Sequence, residues 1–173
     1  MQKTRFTAVV TTFIICMAFW MLLTWSIAVQ ELAAGAVVSL AVALFSARFF
    51  IHENAGWLLI PTKFFNLLRY VLITFPVELV KANWDMAKRC YGGCRNVNPG
   101  IVKVPVELES EYGQAMLANS ITLTPGTITM DITEEEGQTY YYIHWVDVTA
   151  ESGSEAGEAI KGRLERGVRR IFK

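Results

Sequence analysis

His144, Asp147, Cys90 and Cys94 are the side chains from which a reaction centre could be built in this 173-residue chain. His144 stands in the β-forming run "YIHWVDV". On an alternating strand Asp147 faces with Trp145 and away from His144. No Ser or Cys nucleophile stands in a recognisable motif, so no triad can be assembled. Cys90 and Cys94 form "CYGGC". A structural zinc takes four ligands, typically two such pairs, and the remaining Cys16 lies in an apolar run. A disulfide across the Gly-Gly turn conflicts with a cytoplasmic side, so reduced thiols are expected. The Gly-containing "ESGSEAGE" lacks the GK[ST] ending of a phosphate loop, and its acidic residues suit a helix N-terminus. These residues call for no catalytic site, metal or cofactor.

Ionisable residues near lipid are the second group with functional potential. They are Glu31, Arg48, Glu53, Lys63, Arg69 and Glu78. Arg48, Lys63 and Glu78 are the candidates for an ion path or for lipid-facing charge. Two short spans cannot enclose a path, so such a role requires another subunit. The alternative is pairing with head groups or with one another: Glu78, Lys81 and Asp85 are spaced for ion pairs on a helix.

Positioning these residues falls to two compositionally different halves. The chain is 53% hydrophobic and 18% charged, with formal net charge zero. No basic stripe with interleaved aromatics points to nucleic acid. Before Asn98 the apolar residues come in long runs; after it they alternate with polar ones. Asn96–Gly100 punctuates the change. The expected domains are a membrane part, 1–95, and a small cytoplasmic α+β part, 98–173.

Residues 6–29 carry no formal charge, and a spanning helix needs about 20 residues. A cleaved signal peptide is the alternative there, since Ser26-Ile27-Ala28 resembles a cleavage site. Residues 32–51 form the second span. In it Gly35, Ser39, Ala43 and Ala47 recur every fourth position and make one small-residue stripe. In lipid such a stripe permits close helix packing, either on a partner subunit or on the first helix. Residues 57–90 read as an amphipathic helix, kinked at Pro76. Lys3 and Arg5, then Arg48 and Lys63, then Lys81, Lys88, Arg89 and Arg95 all fall on the cytoplasmic side only if there are two spans. On that reading the third segment is interfacial and the C-terminal part cytoplasmic; the alternative is a third span that turns its polar face to a partner.

In the second half, Val102, Val104, Val106 and Leu108 alternate with polar residues, and Pro105 makes this an edge strand. A short helix over residues 111–122 follows. Thr124-Pro125-Gly126-Thr127 has the type II turn pattern, with Gly at the φ > 0 position. Ile128, Met130 and Ile132 then alternate with Thr127, Thr129, Asp131 and Thr133. A hairpin loop at 134–137, a strand at 139–148 and a final helix bearing Ala156, Ile160, Leu164, Val168 and Phe172 complete the order strand-helix-strand-strand-helix. Helices on one face of a three-stranded sheet bury a small core. About 75 residues is little for independent stability, so this part leans on a partner or on the amphipathic helix.

"ITLTPGT" (Ile121 to Thr127), Asp131 at an apolar strand end, and Tyr142-Ile143-His144 together resemble the E subunit of the multisubunit Mrp-type sodium/proton antiporters. The resemblance extends to the layout: two apolar segments, a positive step at Arg48, an amphipathic helix, a Pro99-Gly100 linker and a final helix. It implies a structural or assembly role for Thr124, Pro125, Gly126, Asp131 and His144. It also implies a non-catalytic accessory subunit of a prokaryotic cell-membrane complex, with the other antiporter subunits and lipid as partners. Similar subunits occur in membrane-bound hydrogenase and related respiratory complexes, and the residues do not separate these homes. A third class, a free-standing membrane-anchored ligand-binding domain, stays open. "RCYGGC" and "MLANS" depart from the family pattern.

Overall fold

The computed structural model describes residues 2–49, 51, 60–93, 97–150 and 153–172. Packing contacts divide the chain into Met1–Phe64 and Phe65–Lys173. The compositional boundary at Asn96–Gly100 and the packing boundary therefore do not coincide. Glu53, Trp57, Cys94 and Arg95 lie outside the described residues.

The first unit holds an antiparallel helical hairpin, α1 (Gln2–Thr24) and α2 (Val29–Phe49). Phe6–Thr24 and Val29–Phe49 are each long and apolar enough to cross a membrane. At 1.5 Å per residue they span about 28 and 32 Å, against a hydrocarbon core of about 30 Å. Trp25 turns the chain with a left-handed φ of 49°. Its N–H donates to Met21 O at 3.0 Å.

Gly35, Ser39, Ala43 and Ala47 are the buried residues of α2. They face α1: the Trp20 indole lies over Gly35, and Ala8 packs in one cluster with Ala47 at the other end. A Cβ at Gly35 would sit 2.6 Å from Trp20 Cδ1. Large apolar side chains such as Phe19, Leu22, Val37 and Phe45 point outward, as lipid-facing residues do. Gly35→Leu is therefore expected to separate the two helices. Val38→Leu, on the exposed side, should be tolerated. Cross-linking between cysteines placed at Ala8 and Ala47 reads the difference; equal yields in both variants would contradict it.

One helical path in three pieces follows: α3 (Pro61–Arg69), within which the boundary falls, a π-helical turn (Tyr70–Thr74) and α4 (Phe75–Tyr91). Pro76 lacks the N–H that would bond the carbonyl of Leu72, and its ring crowds that carbonyl. The chain answers by widening the preceding turn, so that Phe75 N–H bonds Tyr70 O, five residues back.

Three strands, β1 (Gly100–Val106), β2 (Thr127–Glu135) and β3 (Gln138–Trp145), form an antiparallel sheet in the order β1-β3-β2. Pro105 sits on the edge strand β1, where a missing N–H costs little. Glu136 and Gly137, with φ of 51° and 79°, close the β2–β3 hairpin. Helices α5 (Glu111–Leu123) and α6 (Gly153–Phe172) cover one sheet face. Val102, Val104, Val106, Tyr141 and Ile143 are buried there with Leu117 and Ile121 of α5 and Ala156, Leu164, Val168 and Ile171 of α6. This is the expected α+β order.

β2 departs from simple alternation. The register skips Met130, passing from Thr129↔Ile143 to Asp131↔Tyr142. Such a bulge re-aims the side chains beyond it. Thr127 and Thr129 are half-buried toward α5, whereas Ile128, Met130 and Ile132 are exposed. Asp131, expected at a strand end, lies within β2, which runs on to Glu135.

The α3–α4 path makes a third layer, antiparallel to α6. Asn66 Nδ2 donates to Arg170 O at 3.1 Å, and Arg163 reaches Glu78 at 3.2 Å. Between them the Tyr70 ring lies where a side chain at Gly167 would be, 2.6 Å from its ideal Cβ.

Candidate functional site

The threonines around the Pro-Gly turn are all engaged with the end of α5. A helix leaves its last carbonyls without intrahelical partners. Thr124 Oγ1 donates to Ile121 O at 2.7 Å, and Thr127 Oγ1 lies 2.8 Å from the same oxygen. The two hydroxyls are 3.0 Å apart. Thr129 N–H donates to Thr122 Oγ1 at 3.2 Å, and Thr129 Oγ1 to Ala118 O at 3.3 Å. Gly126 takes φ +97°, as the third position of a type II turn requires. Val146 N–H donates to Gly126 O at 2.9 Å. A Cβ at Gly126 would sit 3.1 Å from both Met86 Cε and Val146 Cγ1. The motif thus closes α5, starts β2 and seats Met86 of α4.

Two further contacts hold the α3–α4 path on this unit. Tyr70 is 3% exposed. Its hydroxyl donates to Ser120 Oγ at 2.7 Å, and Ser120 donates onward to Met116 O at 2.7 Å. Burial pushes the Tyr70 pKa up, and the Ser120 contact offsets part of that. Ser120 belongs to "MLANS", so this departure from the family pattern is an anchor point. At the far end, Arg89 of "RCYGGC" pairs with Asp85 at 2.9 Å and with Asp147. Asp147 also accepts from Asn98 N–H at 3.1 Å. Arg89, then Asn98, hold the Asp147 carboxyl below its ordinary range.

Lys161 and Glu165 of α6 form an ion pair that is 6% and 8% exposed. Glu165 also accepts from Glu107 N–H at 2.7 Å. Burial, with the Glu165 charge second, pushes the neighbouring Tyr141 pKa far up. The sequence signal was present but silent: a Lys and a Glu at i, i+4 ordinarily mark a solvated face. Here positions 161 and 165 fall on the buried side of the helix.

The other singled-out residues are dispersed. His144 is half-buried on β3, opposite Ile101 and Ile128. Asp131 is exposed and accepts from Ile132 N–H at 2.8 Å. Arg48 ends α2 with its guanidinium 5.8 Å from the Phe49 ring centre. Lys63 is half-buried in α3. Glu78 pairs with Lys81 at 2.9 Å as well as with Arg163. Cys90 is an exposed thiol. Among the described residues no three His, Cys, Asp or Glu side chains converge as metal ligands would. What the geometry builds is a docking seam.

Comparison with known proteins is decisive at the family level. The family described as Na+/H+ ion antiporter subunit (MNHE) matches residues 13–171. The chain belongs to that family. Antiporter subunit E1 of Staphylococcus aureus (strain bovine RF122 / ET3-1) is 28% identical over 166 residues, 94% of this chain and 95% of that protein. A chain in the structure of the membrane-bound sulfane sulfur reductase, an archaeal respiratory membrane complex, aligns at TM-score 0.77 with 38% identity. That alignment covers 96% of this chain and 99% of the other. In this antiporter-subunit family member, two helices are long and apolar enough to cross a membrane.

Proposed function

We propose that this chain is a non-catalytic assembly subunit of a multisubunit cation/proton antiporter module, with the α1–α2 hairpin in the membrane and the C-terminal unit in the cytoplasm. The observation that carries the reading is whole-length likeness to antiporter subunit E1, over 94% of the chain. The structure supplies a compatible division of labour. A close-packed hairpin presents apolar side chains outward, and a braced α+β unit presents exposed Ile101, Ile128 and Met130 on its sheet. A lone domain rarely leaves such residues clustered without a partner.

The same subunit within a respiratory membrane complex is the second reading. The 38% identity to the sulfane sulfur reductase chain, above the 28% to subunit E1, favours it. Deleting the gene and following assembly of the neighbouring antiporter or reductase proteins tests both readings. Loss of an assembled complex, with the remaining subunits still made, is expected. Intact assembly and full activity without this chain would refute the role.

Sidedness is tested by an impermeant maleimide on intact cells. Single cysteines at Gln2, Gln30 and Gln138 replace Cys16, Cys90 and Cys94. Only Gln30 should label. Labelling at Gln138 but not Gln2 would mean three spans and an external domain.

A further inference from the structure

We propose that the groove between α6 and the α3–α4 path binds the headgroup of an anionic phospholipid. Arg69, Ile73 and Val77 line one side of this groove of about 260 Å³, and Arg163, Arg166 and Arg170 line the other. Such a space is smaller than the roughly 300–1,000 Å³ of drug-sized pockets and suits a headgroup. Four exposed guanidiniums meet one lining carboxylate, Glu78. Glu78 is already taken by Arg163 and Lys81, and Arg166 pairs with Glu158 at 2.6 Å. The guanidiniums of Arg69 and Arg170 have no ion-pair partner among the described residues. In a chain of net charge zero this is a local concentration of positive charge, and the guanidinium fork matches the oxygens of a phosphate diester.

The apolar rim selects a lipid over a soluble anion. Ile73 and Val77 are 58% and 43% exposed. They continue into the outward stripe of Phe65, Leu68, Leu72, Val80 and Trp84 on the same helical path. A ligand carrying phosphate and hydrocarbon in one molecule satisfies both surfaces, whereas a free anion leaves the rim wet. Two helices of the chain are long and apolar enough to cross a bilayer and would tether this unit to it. Basic clusters beside membrane-facing surfaces are how anionic head groups are recognised.

The test uses the full-length protein in neutral detergent. The probes are dioctanoyl phosphatidylglycerol, dioctanoyl phosphatidylcholine and inorganic phosphate, with binding followed by native mass spectrometry and titration. Phosphatidylglycerol should bind, and the other two roughly tenfold or more weakly. Arg69→Gln with Arg170→Gln should weaken phosphatidylglycerol binding by a similar factor at an unchanged melting temperature. Lys103→Gln, paired elsewhere with Glu135, should change nothing. Equal binding of the choline lipid, or undiminished binding by the double variant, would overturn the site. Phosphate competing as well as the lipid would mean a free-anion site and overturn the lipid assignment. None of these outcomes bears on the assembly role.

Discussion

Lys161→Met is expected to lower the unfolding free energy of the C-terminal unit by about 3–5 kcal/mol, the cost of leaving one member of a buried pair uncompensated. Glu165 would then keep its hydrogen bond from Glu107 N–H but lose its cation. Replacing both, Lys161→Met with Glu165→Leu, removes the stranded charge. It should recover a substantial part of the loss, because apolar residues of similar size often substitute for a buried pair at little cost. The recovery is incomplete because Glu107 N–H loses its acceptor. Pulse proteolysis of the detergent-solubilised chain across a urea series measures all three proteins. A single variant as stable as the parent would show that the pair is solvated in solution, and a double variant less stable than the single would show that no stranded charge is relieved.

Gly126→Val comes next in size. A β-branched residue at φ +97° carries about 1–3 kcal/mol of backbone strain. Its Cβ would also press on Met86 Cε and Val146 Cγ1, both at 3.1 Å. Met86 can swing aside, but only by leaving the seat that holds α4. Gly137→Val separates the two effects. Gly137 has φ +79° with nothing within 4 Å of its Cβ position, so it reports strain without crowding. Gly126→Val should be the more destabilising and should expose the α4 backbone to hydrogen exchange, which Gly137→Val should not. Matching exchange patterns would mean that the Thr-Pro-Gly turn does not seat α4.

The turn was legible in the sequence because Pro-Gly chemistry is local: Pro125 sets one φ and Gly126 permits another, wherever the segment lies. The two apolar helices, a hairpin loop placed at 134–137 that the structure narrows to Glu136-Gly137, and the edge position of β1 were legible for the same reason. The sense of β2 was not. Alternation shows that Ile128 and Thr129 face opposite ways, yet it does not say which face is covered. Helix α5 draws Thr127 inward through the terminal Ile121 carbonyl and Thr129 through Thr122 Oγ1 and Ala118 O, which turns Ile128 out. Ser120 and Arg89 looked like departures from a family pattern, and their partners Tyr70 and Asp147 are fifty or more residues away in the chain. Nothing in the i, i+4 spacing of Lys161 and Glu165 marks them as buried. Only the packing of α6 against the sheet reveals them as interior.

The most direct measurement is purification of the tagged full-length chain from its native membrane in mild detergent, followed by identification of everything that elutes with it. A chain that serves as an assembly subunit should elute in a large species with several other membrane proteins, in fixed proportion through a second separation by size. Elution as a small species, alone with detergent, would contradict the assembly role and leave a free-standing anchored domain.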